Sequence, residues 1–463
     1  MNVLFLLHAG TNSRDIFRGM IRGFRDAGHT AIVWELAPML QMINGSDPRS
    51  RPPTQAALTR MVKAHIDANE IDLCLCMWAN GLLSVTNGTK DGRPASFYEI
   101  AGVPLLMWWL DAPHWCQRDA LAPLYNTPLL GSDKIISLIN IAATADEMRR
   151  IMGFANVIDR PYGIDPNLYT PHPGERTSYD IVFAAGPGDP EPTPAMLREL
   201  ESDDPDTDAI RRDQADRLRP RLAGLVRDPV LADAMIDSQL EDRHRPVLER
   251  LEAIETTLDG EPAQALRDLL RAPARFADAT MALRTVENWE RAFITAYLSQ
   301  RFGCALMGSG GFPGWPIRAE RLGEVPEADM PRVYARSRLA LNVMRWQDDA
   351  GLNVKPFEIT ASGAACLCAR RSGLGSLWLP GVEIADFEGP HEAVRVAREL
   401  IADDARRVAL AEAGLARTRS EHTWARRSEQ LAERLSPLLA GRAGSTPTVQ
   451  PTVRAGVARA VGL

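Results

Sequence analysis

Short runs of continuous apolar residues alternate with stretches of helical periodicity through the first third of the chain. VLFLL (3–7) reads as a buried strand, followed by the turn HAGTNS and a helix from about Arg14 to Ala27. Gly28 is placed to end that helix, and TAIVWEL (30–36) reads as the second strand. A helix around 54–68 leads to a third strand, DLCLCMW (72–78). VPLLMWWLD (103–111) and KIISLIN (134–140) give a fourth and a fifth. Strands that are apolar on both faces and separated by helices imply a parallel sheet covered on both sides, a Rossmann-like domain. It is expected to occupy residues 1–172. Its end, NVIDRPYGIDPNLYTP (156–171), carries prolines that suit an extended linker.

A second alternating unit opens at YDIVFAAG (179–186) and is interrupted. Residues 187–285 hold charged, helix-favouring sequence such as PVLERLEAIETTL, which reads as a helical insertion packed as a bundle. The α/β pattern resumes with a helix over ENWERAFITAYLSQRFG (287–303) and strand CALMG. Helix ADMPRVYARS, strand LALNVM and helix KPFEITASG follow. Strands AACLCA and VEIADF, helix HEAVRVARELIAD and a helical stretch to about Leu439 complete it. The second domain is expected at 173–440, and the tail 441–463, poor in large apolar residues, is expected to be disordered. Ligands of such sheets bind outside the carboxyl ends of the strands, where strand order switches, and two facing sheets would enclose a cleft.

Composition narrows the function. With 463 residues, 45% hydrophobic and 24% charged, the chain has the make-up of a soluble globular protein of two or three domains. A net charge of −7 and a pI near 5.7 argue against nucleic acid as the main partner, because neutralising phosphates needs a basic face. The six cysteines include two CLC pairs but no CxxC spacing for zinc. They read as small buried hydrophobes in a reducing cytoplasm. The start, MNVLFLLHAG, lacks the basic region and cleavage site of a secretory signal. No apolar run reaches the length of a membrane span. A cytoplasmic location is expected.

The densest candidate chemistry lies in GLNVKPFEITASGAACLCA (351–369). Glu358 falls in the first turn of a helix that follows the carboxyl end of strand LALNVM. The amides of Gly351–Lys355 lie near that helix's N-terminus, where anions are favoured. Lys355 adds a cation and Asn353 a donor and an acceptor. A diphosphate held there leaves a ribose within reach of Glu358, and Gly363 ends the helix. Taken singly, Glu358 also suits a mere dipole partner and Lys355 a solvated charge.

LALNVMRWQDDAGLNVKPFEITASGAACLCA resembles the C-terminal signature of the CgeB-like (spore-maturation-protein-like) glycosyltransferases, of the glycosyl transferases group 1 type. The family shows an LNI-type strand and then G-x-N-x-R-x-F-E-x-x-A-x-G-A. Gly351, Asn353, Lys355, Phe357, Glu358, Ala361, Gly363 and Ala364 fill that pattern, with Lys355 in place of the usual arginine. VPLLMWWLDAPHW resembles the family's W-x-x-D-x-P, with Asp111 and Pro113 in place. NVIDRPYGIDPNLYTP is similar to its interdomain segment, YDIVFAAG to the opening strand of its second domain, and EHTWARRSEQL (421–431) to its closing helix.

The resemblance implies a GT-B fold, two Rossmann-like domains facing across a cleft. A nucleotide-diphosphate sugar, expected to be UDP- or GDP-linked, would lie mainly on the second domain and a glycan, protein or other hydroxyl acceptor on the first. By the same resemblance Glu358 binds the ribose and the Gly351–Lys355 loop the diphosphate. Gly308, in MGSGGFPGWP (307–316), belongs to a loop facing the nucleotide or sugar, and GEVPEADM (323–330) meets the base through its backbone. No cofactor and no metal are expected, since no DxD follows a strand in a nucleotide-binding position. Arg345 and Lys355 are the groups expected to stabilise the leaving diphosphate. AAGPGDPEP lacks the Arg/Lys pair of many retaining relatives. If transfer inverts, His8 at the end of strand one or Asp111 at the end of strand four is the candidate base. A sugar-nucleotide epimerase and a non-catalytic scaffold remain the alternatives, and a homo-oligomer stays open.

Overall fold

The apolar runs become the interiors of two parallel sheets in the computed structural model, which describes residues 1–7, 11–36, 51–84, 88–116, 121–184, 191–308 and 312–439. His8 and the tail 441–463 lie outside the described residues. Chain contacts divide the protein into a first unit, Met1–Gly163 with the C-terminal helix Trp424–Leu439, and a second, Ile164–Thr423.

In the first unit the strands are β1 (Asn2–Leu7), β2 (Thr30–Glu35), β3 (Leu73–Met77), a two-stranded β4 (Gly88–Lys90) and β5 (Arg93–Ala95), then β6 (Leu105–Trp109), β7 (Ile135–Ile139) and β8 (Asn156–Asp159). The main sheet is ordered β2-β1-β3-β6-β7-β8 with every pair parallel. β3, β6 and β7 are buried at every position, as their unbroken apolar runs require. Two strand features depart from expectation. Asn156–Asp159 forms an edge strand where a linker was expected, half-buried and mixed in polarity, so periodicity does not mark it. The β4–β5 hairpin turns on Asp91-Gly92, both at positive φ (53° and 77°), the Asp-Gly pairing that suits a two-residue turn.

The second unit contains β9 (Tyr179–Ala184), β10 (Cys304–Met307), β11 (Ala319–Gly323), β12 (Ser337–Asn342), β13 (Ala365–Ala369) and β14 (Ala385–Phe387), in the order β11-β10-β9-β12-β13-β14 and again all parallel. The edge strand β11, AERLG, is too charged and too exposed to show in the apolar pattern. Each unit is therefore Rossmann-like, and the second carries the expected helical insertion. Its helices are Pro194–Glu199, Thr207–Ala223, Pro229–Glu241, Val247–Glu255 and Gly260–Leu270. Thr193, Asp206 and Asp228 cap the first three by accepting hydrogen bonds from backbone N–H groups of the first turn. The insertion has no boundary at residue 285, because one 27-residue helix, Pro273–Ser299, runs from the bundle onto the sheet. No glycine or internal proline interrupts it.

The C-terminal helix does not go with the segment 173–440 in which it was expected. Trp424 stacks edge-on against Trp108 of β6, ring centroids 5.0 Å apart, and Leu431 and Leu435 join the first unit's core. A Cβ on Gly163 would lie 2.5 Å from the Trp424 ring, so this closure depends on glycine there. Among the described residues no helix is long and apolar enough to cross a membrane, and all six cysteines are free thiols.

Candidate functional site

In each sheet the chain leaves its first strand on one side and returns on the other, so order reverses between β1 and β3 and between β9 and β12. Crevices outside the carboxyl ends of such strand pairs are where doubly wound sheets take ligands. In the second unit the loop from Val343 to Val354 leaves the carboxyl end of β12 and delivers the chain to the helix Lys355–Ala361.

That loop is held by its own polar groups. Asp348, fully buried, accepts hydrogen bonds from the Arg345 amide (2.8 Å) and from Asn353 Nδ2 (3.3 Å), and its Oδ1 lies 3.5 Å from the Arg345 guanidinium. The Gly351 amide donates to the Asp348 carbonyl at 2.8 Å, and Asn353 Oδ1 accepts from the Lys355 amide at 3.0 Å. Gly351 and Asn353 thus shape the loop, and the Lys355 amide is committed to Asn353. Asp349 sits at φ 42°, a strained region for a residue with a side chain. Its Oδ2 accepts from the Val247 amide (3.2 Å) of the insertion and lies 3.1 Å from Arg284 of the long helix.

Glu358 lies in the first turn of its seven-residue helix, as expected, but is only 3% exposed. Its Oε2 is 2.7 Å from Lys355 Nζ and accepts from the Tyr334 hydroxyl at 3.2 Å. Lys355, one turn earlier and 27% exposed, is therefore paired to Glu358. Burial, and then the charge of Glu358, pushes the Tyr334 hydroxyl well above its ordinary range. Tyr169, shifted upward by burial and by the same carboxylate, donates to Glu327 at 3.0 Å. Gly363, at φ 73°, ends the helix as expected.

Arg345, Gly351, Asn353, Lys355 and Glu358 are thus brought together on one loop and helix. Gly308 is on another loop, just past β10, at φ 122° with its amide donating to the Gly323 carbonyl at 2.7 Å. Asp111 belongs to the first unit, half-buried just beyond β6. Its carbonyl accepts from the Cys116 thiol at 3.7 Å. Burial, and then Asp111, pushes that thiol well above its usual range.

One residue at the β9–β12 crevice escaped the sequence reading. Arg291, on the long helix, is 3% exposed; it donates to the carbonyl of Val343, the first residue past β12, at 2.5 Å, and its guanidinium carbon lies 4.9 Å from the centre of the Phe183 ring on β9. Its Nε has no partner. Burial, and then repulsion from Arg345, lowers its pKa to about 9. The available signal was its position directly before the apolar run AFITAYL, on a helix buried nearly all round from Val286 to Ser299.

Residues 284–433 match a family model described as "Glycosyl transferase-like". The match covers less than half of the chain and takes in Arg291, the β12 loop and Glu358. Among solved structures the chain is similar to HepE from Anabaena in complex with UDP, at 13% identity over 94% of this chain and 100% of that one, with a TM-score of 0.49. It is also similar to sucrose-phosphate synthase from Thermosynechococcus elongatus (11% identity, 95% and 100% covered, TM-score 0.47) and to T4 phage β-glucosyltransferase (9%, 95% and 99%, 0.46). A sequence search of curated proteins found no match.

Proposed function

We propose that this protein is a GT-B glycosyltransferase of the CgeB-like kind, moving a sugar from a UDP- or GDP-linked donor to a hydroxyl of a glycan or protein acceptor in the cytoplasm. One observation carries the reading. The stretch that matches the glycosyl transferase-like model is also the stretch that gathers Arg345, Asn353, Lys355 and Glu358 beside the β9–β12 switch of a doubly wound sheet.

In this reading Glu358 accepts hydrogen bonds from the ribose hydroxyls, taking the place now filled by Lys355. Lys355, released, joins Arg345 on the diphosphate, while Gly351 and Asn353 keep the loop tight beneath it. Gly308 lets the chain past β10 turn toward the sugar. His8 or Asp111 of the first unit takes the acceptor's proton. The acceptor oxygen then bonds to the anomeric carbon as the bond to the diphosphate breaks, and the two cationic side chains meet the charge of the departing nucleotide.

The test is calorimetric titration with UDP, GDP, CMP and dTDP sugars, followed by Glu358→Ala. The wild type is expected to bind one of them and slowly hydrolyse it without acceptor. Glu358→Ala is expected to weaken that binding at least about a hundredfold, the loss of two charge-assisted hydrogen bonds, with the protein still folded. Unchanged affinity in the variant removes the site, and no nucleotide stabilising the wild type at millimolar concentration points to a binding or scaffold protein.

A further inference from the structure

We infer that Arg291 is a ligand of the donor's diphosphate, an inference that rests on the nucleotide-sugar reading. A guanidinium withdrawn from water needs an opposite charge or a full set of acceptors. Two of the other deeply buried arginines of this unit meet carboxylates, and the third donates to two acceptors from two of its nitrogens. Arg284 meets Asp349 at 3.1 Å, Arg371 pairs with Glu287 and lies 3.6 Å from Glu290, and Arg250 donates to Gln239 at 2.7 Å and to the Arg245 carbonyl at 3.1 Å. Among the described residues Arg291 has no carboxylate within ion-pair distance; it has one carbonyl, one ring face and an Nε with nothing to donate to. Asp348 acts on it only from further off, its oxygens engaged by Arg345 and Asn353.

The place matters as much as the imbalance. Phe183 is near the carboxyl end of β9 and Val343 immediately follows β12, so Arg291 stands at the point where strand order reverses. Its neighbour Arg345 is a second cation, 35% exposed, and the two repel. An anion between them relieves both the repulsion and the missing acceptor, and a guanidinium can give a phosphate two parallel hydrogen bonds. This location also supplies, from the adjoining helix, the charge that AAGPGDPEP lacks after β9.

The experiment compares a nucleoside diphosphate with its own nucleoside. UDP and uridine (or GDP and guanosine, whichever the wild type prefers) are titrated into wild type, Arg291→Met and Arg291→Lys. Arg291→Met is expected to weaken the diphosphate about thirtyfold and to leave the nucleoside within about twofold, as loss of a charge-assisted contact to phosphate alone would. Arg291→Lys keeps the charge without the fork and is expected to fall between; it carries the comparison if the methionine variant does not fold. Equal losses for both ligands, or no loss for the diphosphate, overturn the inference while the donor reading stands. A wild type that binds no nucleoside diphosphate removes both.

Discussion

In the first unit the sheet face bearing Phe5 and Trp108 is closed by rings. Phe17 and Phe24 lie 5.6 and 5.4 Å from Phe5, and Trp424 meets Trp108 edge-on at 5.0 Å. In the second unit, where the long helix Pro273–Ser299 and the insertion meet the loops after β12 and β13, the contact is made by charges. Arg371 pairs with Glu287, Arg243 pairs with Glu290, Arg284 meets Asp349, and Arg250 donates to Gln239, which donates to Glu287 at 3.3 Å. Packed rings need complementary shape and tolerate some sliding, whereas a guanidinium fork accepts few arrangements of its carboxylate. The charged junction therefore fixes the insertion in one orientation, and through Asp349 it fixes the loop that leads to Lys355 and Glu358. The insertion braces the candidate site from behind.

The comparison can be broken first at Arg371. Arg371→Met leaves Glu287 and Glu290 buried with that shared cation gone, and is expected to lower stability by roughly 3–5 kcal/mol in urea unfolding. A loss below about 1 kcal/mol would mean the junction is held by packing, as in the first unit. The ring closure is probed by Gly163→Ala, whose new methyl overlaps the Trp424 ring. Overpacking of that kind costs about 1–3 kcal/mol, and hydrogen exchange should rise first in the helix Trp424–Leu439. The smallest effect is the dependence on pH. Burial chiefly, opposed by Arg371 and reinforced by Glu290, pushes the Glu287 carboxyl from 4.5 up to about 7. The folded state then holds a proton that the unfolded chain releases. Glu287's contribution is accordingly greatest below 4.5 and is lost as pH rises through about 7, with a slope of at most about 1.4 kcal/mol per pH unit. Glu290, held low chiefly by Arg243 against its burial, works in the opposite direction only at more acid pH. Glu287→Gln should flatten the stability profile between pH 5 and 7, and an unchanged profile would assign no titration to the junction.

Much of this architecture was readable from residue order. LCLCM and LLMWW, short unbroken apolar runs, read as central strands, and the same logic placed β9, β12 and β13. What local pattern could not show was anything decided by tertiary partners. β8 and β11 are edge strands without an apolar signature, and the helix over Trp424–Leu439 has an amphipathic face whose destination lies far away in sequence. For the site, the motif put Glu358 in the right turn of the right helix, while its pairing with Tyr334, from a helix two dozen residues earlier, was beyond reach. Arg291 was hidden for a related reason: a charged letter in a helix reads as solvated until the opposite face is known to be covered as well.

The return of Trp424–Leu439 to the first unit has a consequence for biosynthesis. Synthesis runs from the amino end, so β1 to β8 leave the ribosome long before the tryptophan that closes over Trp108 and Gly163 has been made. The unit translated first is the one completed last, and until then Phe5, Phe17 and Trp108 lack one wall of their enclosure. A chain ending at residue 423 and released from the ribosome should accordingly recruit chaperones to its first unit, the one left without its closing tryptophan.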